Sequence, residues 1–245
     1  MINTVLFDLD NTLLGNDMKD FIPRYFTLCG QYARRHLPEE EFLKVLLLAS
    51  RTMVENTDPH VTNNEVFWAR FGELTGLDGN VVYADLDNFY CNEFGQLQDV
   101  TEHTPIAAKI MNSCFQQGLQ VVIATNPMFP RRAIEARLSW AGVPVTQYPY
   151  ALVTTMENMH ATKPHEAYYR EILEEVDCRP CEALMVGDDG SRDIEPASNL
   201  GLFTYWVQLP GSELPGGITP TAKGTLEELA RLLKDGWLSR LDGTS

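Results

Sequence analysis

Asp8 and Asp10 stand two residues apart, directly after the apolar run Val5-Leu6-Phe7. A run of this kind reads as a short buried strand. Ligands of open α/β sheets sit outside the carboxyl ends of the strands. Two carboxylates at such an end can hold a hard cation and offer an oxygen nucleophile. The same residues also suit an Asp-rich turn or a helix cap. Three later stretches carry the other parts that such chemistry needs. Thr125-Asn126-Pro127 follows the apolar residues 119–124, where a hydroxyl and exposed backbone N–H groups can take phosphate oxygens. An Asn-Pro pair equally starts a plain turn. Lys163-Pro164 sets an ammonium in a loop, with proline keeping the lysine backbone extended. Most lysines, however, are simply solvated. Gly187-Asp188-Asp189-Gly190-Ser191-Arg192-Asp193 bunches carboxylates where a strand gives way to a helix, and like charges so close need a cation or a lysine. Asp193 alone suits the cap of the following helix. Asp188 and Asp189 have no such explanation.

The elements that must position these residues fall into two textures. From residue 18 to about 97 the pattern is helical. Met18, Phe21, Ile22, Tyr25, Cys29, Tyr32 and Ala33 recur at spacings of three and four. Pro38 suits the first turn of a second helix carrying Phe42, Val45, Leu46, Ala49 and Met53. Thr62-Asn63-Asn64-Glu65 is a capping box for a third, stopped by Gly76. Val82, Leu86, Phe89, Tyr90 and Phe94 mark a fourth. After about residue 99, helices and strands alternate. Strands are expected at 119–124, 150–153, 183–186 and 203–207, with helices at 106–117, 131–141, 168–176 and 194–200. That alternation implies βαβ units and a parallel sheet. Residues 210–224 read as a Pro/Gly-rich surface loop, and Thr225–Glu228 as a capping box for a last helix through Leu233. The expected fold is α/β, a doubly wound parallel sheet interrupted by an inserted helical block.

In order, at successive strand ends, the chain carries D-x-D-x-T (Asp8, Asp10, Thr12), a threonine (Thr125), Lys163-Pro164 and G-D-x-x-x-x-D (Asp188, Asp193). This set resembles the haloacid dehalogenase-like (HAD) superfamily of aspartate-nucleophile hydrolases over nearly the full length. The resemblance implies a core of residues 1–14 and 99–245, and a C1-type helical cap of residues 15–98. It implies a phosphatase in which Asp8 takes the phosphoryl group and Asp10 acts as general acid, then base. Thr12 would help fix the Asp10 loop. Leu9, Thr125, Asn126 and Lys163 would bind the phosphoryl group, Lys163 also steadying the nucleophile. Mg²⁺ would be held by Asp8, Asp188 and the carbonyl of Asp10. Asp193 would sit near Lys163 or a metal water, and Asp189 has no role in the pattern. A phosphomutase would keep every one of these residues. A dehalogenase would need neither the metal nor the second acid, and a phosphonatase would need an activated cap lysine, for which only Lys19 and Lys44 offer. A non-catalytic binding module would have lost Asp8 or Asp10.

Composition bounds the partners. The net charge of −15 over 245 residues argues against nucleic acid and anionic membranes. The expected ligand is a small phosphorylated metabolite, with specificity from cap side chains. Lys19, Arg24, Arg51 and His60 are candidates there, though solvated charge explains each as well. Phe21, Tyr25 and Phe67 suit the cap core. His160 and His165 flank Lys163 without an evident carboxylate partner. Five scattered cysteines suit free thiols in a reducing, cytoplasmic compartment. Cys178-Arg179-Pro180-Cys181 lacks the second pair a zinc site needs and reads as a turn before a strand. The aromatic stripes serve a small helical bundle as readily as a dimer surface, so they do not set the oligomeric state.

Overall fold

The run Thr4–Phe7 forms β1, buried along its whole length and paired in parallel on both sides. A continuous apolar strand requires such covering. In the computed structural model of the chain, residues 1–214 and 216–241 are described. After β1 the backbone turns through Asn11, at φ +59°, into β2 (Leu14–Gly15). Then come α1 (Met18–Ala33), α2 (Glu39–Glu55), α3 (Asn63–Thr75) and α4 (Gly79–Asn92). The capping box Thr62/Glu65 opens α3, and Gly76 closes it at φ +69°. A 3₁₀ turn, Phe94–Val100, leads to β3 (Glu102–His103), antiparallel to β2. This short pair is absent from the sequence reading, because two residues leave no alternation to find.

The remainder alternates. It runs α5 (Pro105–Gln116), β4 (Gln120–Ile123), α6 (Arg131–Trp140), β5 (Leu152–Val153), α7 (Glu166–Glu175), β6 (Ala183–Gly187), α8 (Glu195–Asn199), β7 (Phe203–Val207), β8 (Ala222–Gly224), α9 (Leu226–Lys234) and α10 (Leu238–Leu241). The sheet has six strands in the order β5-β4-β1-β6-β7-β8, every pairing parallel. Two expectations are corrected. Residues 222–224, read as loop, form the edge strand β8 on β7. Ala-Lys-Gly carries no β-branched or aromatic signal. The helix expected at 194–200 begins at Glu195, after a wide turn over Gly190–Ile194.

Alternate residues of β1 feed opposite layers. Val5 and Phe7 pack with Ile110 of α5 and Leu229 of α9. Leu6 packs with Tyr168 and Ile172 of α7. The helices α1 to α4 share a third cluster, with Phe21, Phe42, Phe71 and Phe89 at its centre. Ala133 of α6 and Met156 after β5 join it. Backbone bonds from Asn63 N to Met159 O (2.8 Å) and Asn64 N to Met156 O (2.7 Å) fasten the start of α3 there. Among the described residues, no helix is long and apolar enough to cross a membrane.

Candidate active site

β1 delivers Asp8 to the sheet's carboxyl edge, where its N–H continues the ladder to Val186 O at 2.9 Å. The loop after β5 brings Lys163 to the same point, joined to Pro164 by a cis peptide bond. Lys163 Nζ donates to Asp8 Oδ1 at 2.8 Å and to Asp193 Oδ1 at 2.5 Å. All three residues are buried. Asp193 reaches inward because β6 ends on a glycine: a Cβ at Gly187 would overlap its carboxylate. Asp189, without a role in the sequence reading, caps the turn by accepting from Ser191 N (2.9 Å) and Arg192 N (3.0 Å). That displaces Asp193 from the capping role its sequence position suggests. Asp193 Oδ2 instead accepts from Asp189 N at 3.1 Å.

Asp10 is held apart from this cluster. Arg137 NH1 donates to its Oδ2 at 2.5 Å, and Asn16 Nδ2 to its Oδ1 at 2.7 Å. The Arg137 side chain is 1% exposed and lies over the Phe129 ring, 4.7 Å from its centroid. Neither Arg137 nor Asn16 belongs to the motifs at the strand ends. The available signal was an arginine within the buried stripe Ala133, Ile134, Arg137, Leu138 of α6. Thr12 is buried, its N–H donates to Leu9 O at 3.2 Å within the Asp10 loop, and its hydroxyl finds no partner among the described residues. Leu9 is wholly buried in the core and gives no side chain to the cavity.

Thr125 and Asn126 follow β4 and line one cavity with Asp8, Asp10, Lys163 and Asp188. Asn126 Oδ1 accepts from Lys163 N at 3.2 Å. The tyrosines opening α7 clamp both flanks: Tyr168 OH donates to Thr125 O at 2.8 Å, and Tyr169 OH to Arg192 O at 2.5 Å. The cavity, about 490 Å³, extends to α1–α4. Lys19, Arg24, Arg51 and His60 do not line it. Arg24 lies 3.8 Å from Asp99, and Arg51 pairs with Glu55 at 2.8 Å. Tyr25 and Phe67, expected only in the helical core, do reach the cavity, whereas Phe21 stays in that core. His160 has a carboxylate partner after all, Glu171 Oε1 at 2.7 Å, which leaves it a structural pair. All five cysteines are free, and Pro180–Glu182 is the short turn expected before β6.

Asp8, Asp188 and Asp193 each offer an oxygen within 4.8 Å of the others. Burial raises the Asp8 carboxyl well above its ordinary value against the pull of Lys163, and Asp193, Asp188 and Asp10 push the same way. Burial, then Asp193 and Asp189, pushes Asp188 up to about 7. Burial alone would lower Lys163, but Asp193 and Asp8 together hold it well above its ordinary value, so it stays an ammonium. One ammonium thus faces three carboxylates. A divalent cation with oxygen preference fits this donor set and would offset the remaining charge.

A family model described as haloacid dehalogenase-like hydrolase matches residues 2–201. Pyrophosphatase PpaX of Bacillus cereus is 26% identical over 206 residues, 84% of this chain and 83% of the relative. Haloacid dehalogenase-like hydrolase domain-containing protein 2 of Mus musculus is 40% identical over 64 residues, which span 26% of this chain and 24% of that protein. The solved HAD phosphatase from Thermococcus onnurineus superposes with a TM-score of 0.59 at 20% identity, covering 95% of this chain and 98% of the other. The 2-haloacid dehalogenase from Pseudomonas syringae pv. Tomato DC3000 gives a TM-score of 0.59 at 18% identity, covering 97% and 100%. At such identities the superpositions establish the shared fold.

Proposed function

This chain belongs to the haloacid dehalogenase-like hydrolase family, and we propose that within it the protein is a magnesium-dependent phosphatase of small phosphomonoesters. The observation that carries this reading is Lys163 Nζ, bridging Asp8 and Asp193 at the floor of a cavity shared with Thr125 and Asp188. Phosphoryl transfer needs positioning and charge compensation above all, and a buried ammonium beside a buried carboxylate nucleophile supplies both. The pyrophosphatase relative and the phosphatase neighbour agree with that chemistry by name.

An Asp8 oxygen bonds to phosphorus as the ester P–O bond breaks. Asp10 gives the departing oxygen its proton. Asp10 then takes a proton from a water that attacks the aspartyl-phosphate, which frees Asp8 and inorganic phosphate. Lys163 offsets charge on Asp8 and on a phosphoryl oxygen, and Thr125 with the Asn126 backbone binds the others. Arg137 and Asn16 position Asp10. Asp8, Asp188 and the Asp10 carbonyl would hold Mg²⁺, which neutralises phosphoryl oxygens when bound. Residues 15–98 act as a cap over the core formed by 1–14 and 99–245. The five free thiols suit a reducing, cytoplasmic setting.

Hydrolysis of p-nitrophenyl phosphate tests the mechanism. It should require Mg²⁺, stop in EDTA and disappear in Asp8→Asn. Turnover that is independent of metal, or that survives Asp8→Asn, would overturn it.

A further inference from the structure

The walls of the cavity differ sharply in chemistry. At the strand ends it is charged: Asp8, Asp10, Lys163, Asp188 and Arg192. On the side of α1 to α4 it is formed by Ile22, Phe26, Leu46, Phe67 and Trp68, with Leu47 and Tyr83 among its exposed residues. Among the described lining residues the cations are Lys163 and Arg192, both on the strand-end side. Most polar groups of the helical wall are already satisfied, although the buried Trp68 Nε1 has no partner among the described residues. Tyr25 OH and Tyr90 OH bond each other at 2.9 Å, and burial raises both phenols so that they stay neutral. Asp87 pairs with Arg132 at 2.5 Å. Ser50 adds one small hydroxyl.

We propose that the preferred substrate is the phosphomonoester of an apolar alcohol or phenol, with its hydrocarbon body against α1, α2 and α3 and no second charged group. This rests on the phosphatase reading and names the substrate class for that same site. A second phosphate or a carboxylate would meet no free cation on the helical wall and would face Asp87. A sugar would bury hydroxyls against Ile22, Leu46 and Phe67 without partners, at a cost that an alkyl or aryl body avoids. A cavity of about 490 Å³ is of the size that encloses a small-molecule body.

The test compares ethyl, butyl, hexyl and 1-naphthyl phosphate with glucose 6-phosphate, 2-phosphoglycolate and pyrophosphate, all with Mg²⁺. Each methylene that enters the wall should raise kcat/KM about three- to fourfold. Hexyl phosphate should therefore exceed ethyl phosphate about a hundredfold and exceed each polar substrate by at least as much. Ser50→Lys, which adds a cation to that wall, should shift the ratio of 2-phosphoglycolate to hexyl phosphate upward about tenfold or more. Ile22→Asn, with its melting temperature measured alongside, should flatten the alkyl series and serves if the lysine variant does not fold. A kcat/KM independent of chain length, as expected if the apolar wall closes on the core without enclosing substrate, would overturn the proposal. So would a sugar phosphate or pyrophosphate that equals hexyl phosphate. In both cases Asp8-dependent hydrolysis would remain, and the phosphatase reading with it. If no ester gives Asp8-dependent phosphate release, that reading fails and this proposal falls with it.

Discussion

Truncating Asp10 should destabilise the protein more than removing Arg137, although each change breaks the same ion pair. Arg137 is 1% exposed, and its main compensation is the 2.5 Å bond to Asp10. Its Nε otherwise donates to Ala133 O at a long 3.4 Å, and NH2 has no partner. Asp10→Ala therefore strands a guanidinium in the core. Breaking a buried pair in this way costs about 3–5 kcal/mol. The Asp10 side chain is 16% exposed and borders the cavity, so water can partly replace it and the lower end, about 3 kcal/mol, applies. For a chain of this length that is a fall in Tm of roughly 6–12 °C. Arg137→Met leaves the opposite situation. Asp10 keeps the Asn16 bond and access to solvent, and methionine fills most of the space beside Phe129. Its cost should stay within about 1 kcal/mol. The double variant should regain most of the loss seen in Asp10→Ala. Urea unfolding of the four proteins closes the cycle. Equal destabilisation by the two single variants, or a double variant as unstable as Asp10→Ala, would refute the picture of Arg137 as a buried charge balanced by Asp10. In kinetics, Arg137→Met should lower kcat about a hundredfold, because Asp10 loses its anchor while remaining present.

Three other outcomes follow from the site. Gly187→Ala places a methyl group in the space of the Asp193 carboxylate and should remove activity while leaving a folded chain of lower Tm; unchanged kcat would mean that Asp193 needs no such approach. Burial holds the Asp188 proton up to about pH 7, whereas the unfolded chain releases it near pH 4, so the folded state binds more protons in between. Stability of the metal-free protein should therefore fall as pH rises from about 4 to about 7. The Tm gain from Mg²⁺ over EDTA should accordingly be largest at and above about pH 7 and shrink toward pH 5, and a gain that does not vary with pH would contradict this.

The parts legible in the sequence share one physical property: their signals are local. β1, β4 and β6 announce themselves as apolar runs, and the residue after each run is where a parallel sheet exposes its chemistry. Asp8, Thr125 and Asp188 could therefore be found, and Lys163 by the loop it shares with Pro164. The capping boxes at Thr62 and Thr225 are equally local, and both form. What stayed hidden depends on contacts between distant segments. Arg137 meets Asp10 across 127 positions, and Asn126 holds the Lys163 backbone across 37. β8 exists only because β7 offers it an edge.

The division matters for how the site works. In the proposed mechanism strand ends supply the reacting groups, and helix interiors supply what holds them: Arg137 on α6 for Asp10, Tyr168 and Tyr169 on α7 for the flanks of Thr125 and Arg192. A helix-interior polar residue that is buried must be satisfied there, so its type is dictated by the partner opposite, not by the helix that carries it. An arginine or a tyrosine pair inside an apolar stripe is then a signal in its own right. In this chain, each such residue on α6 and α7 leads to the edge where Asp8 stands.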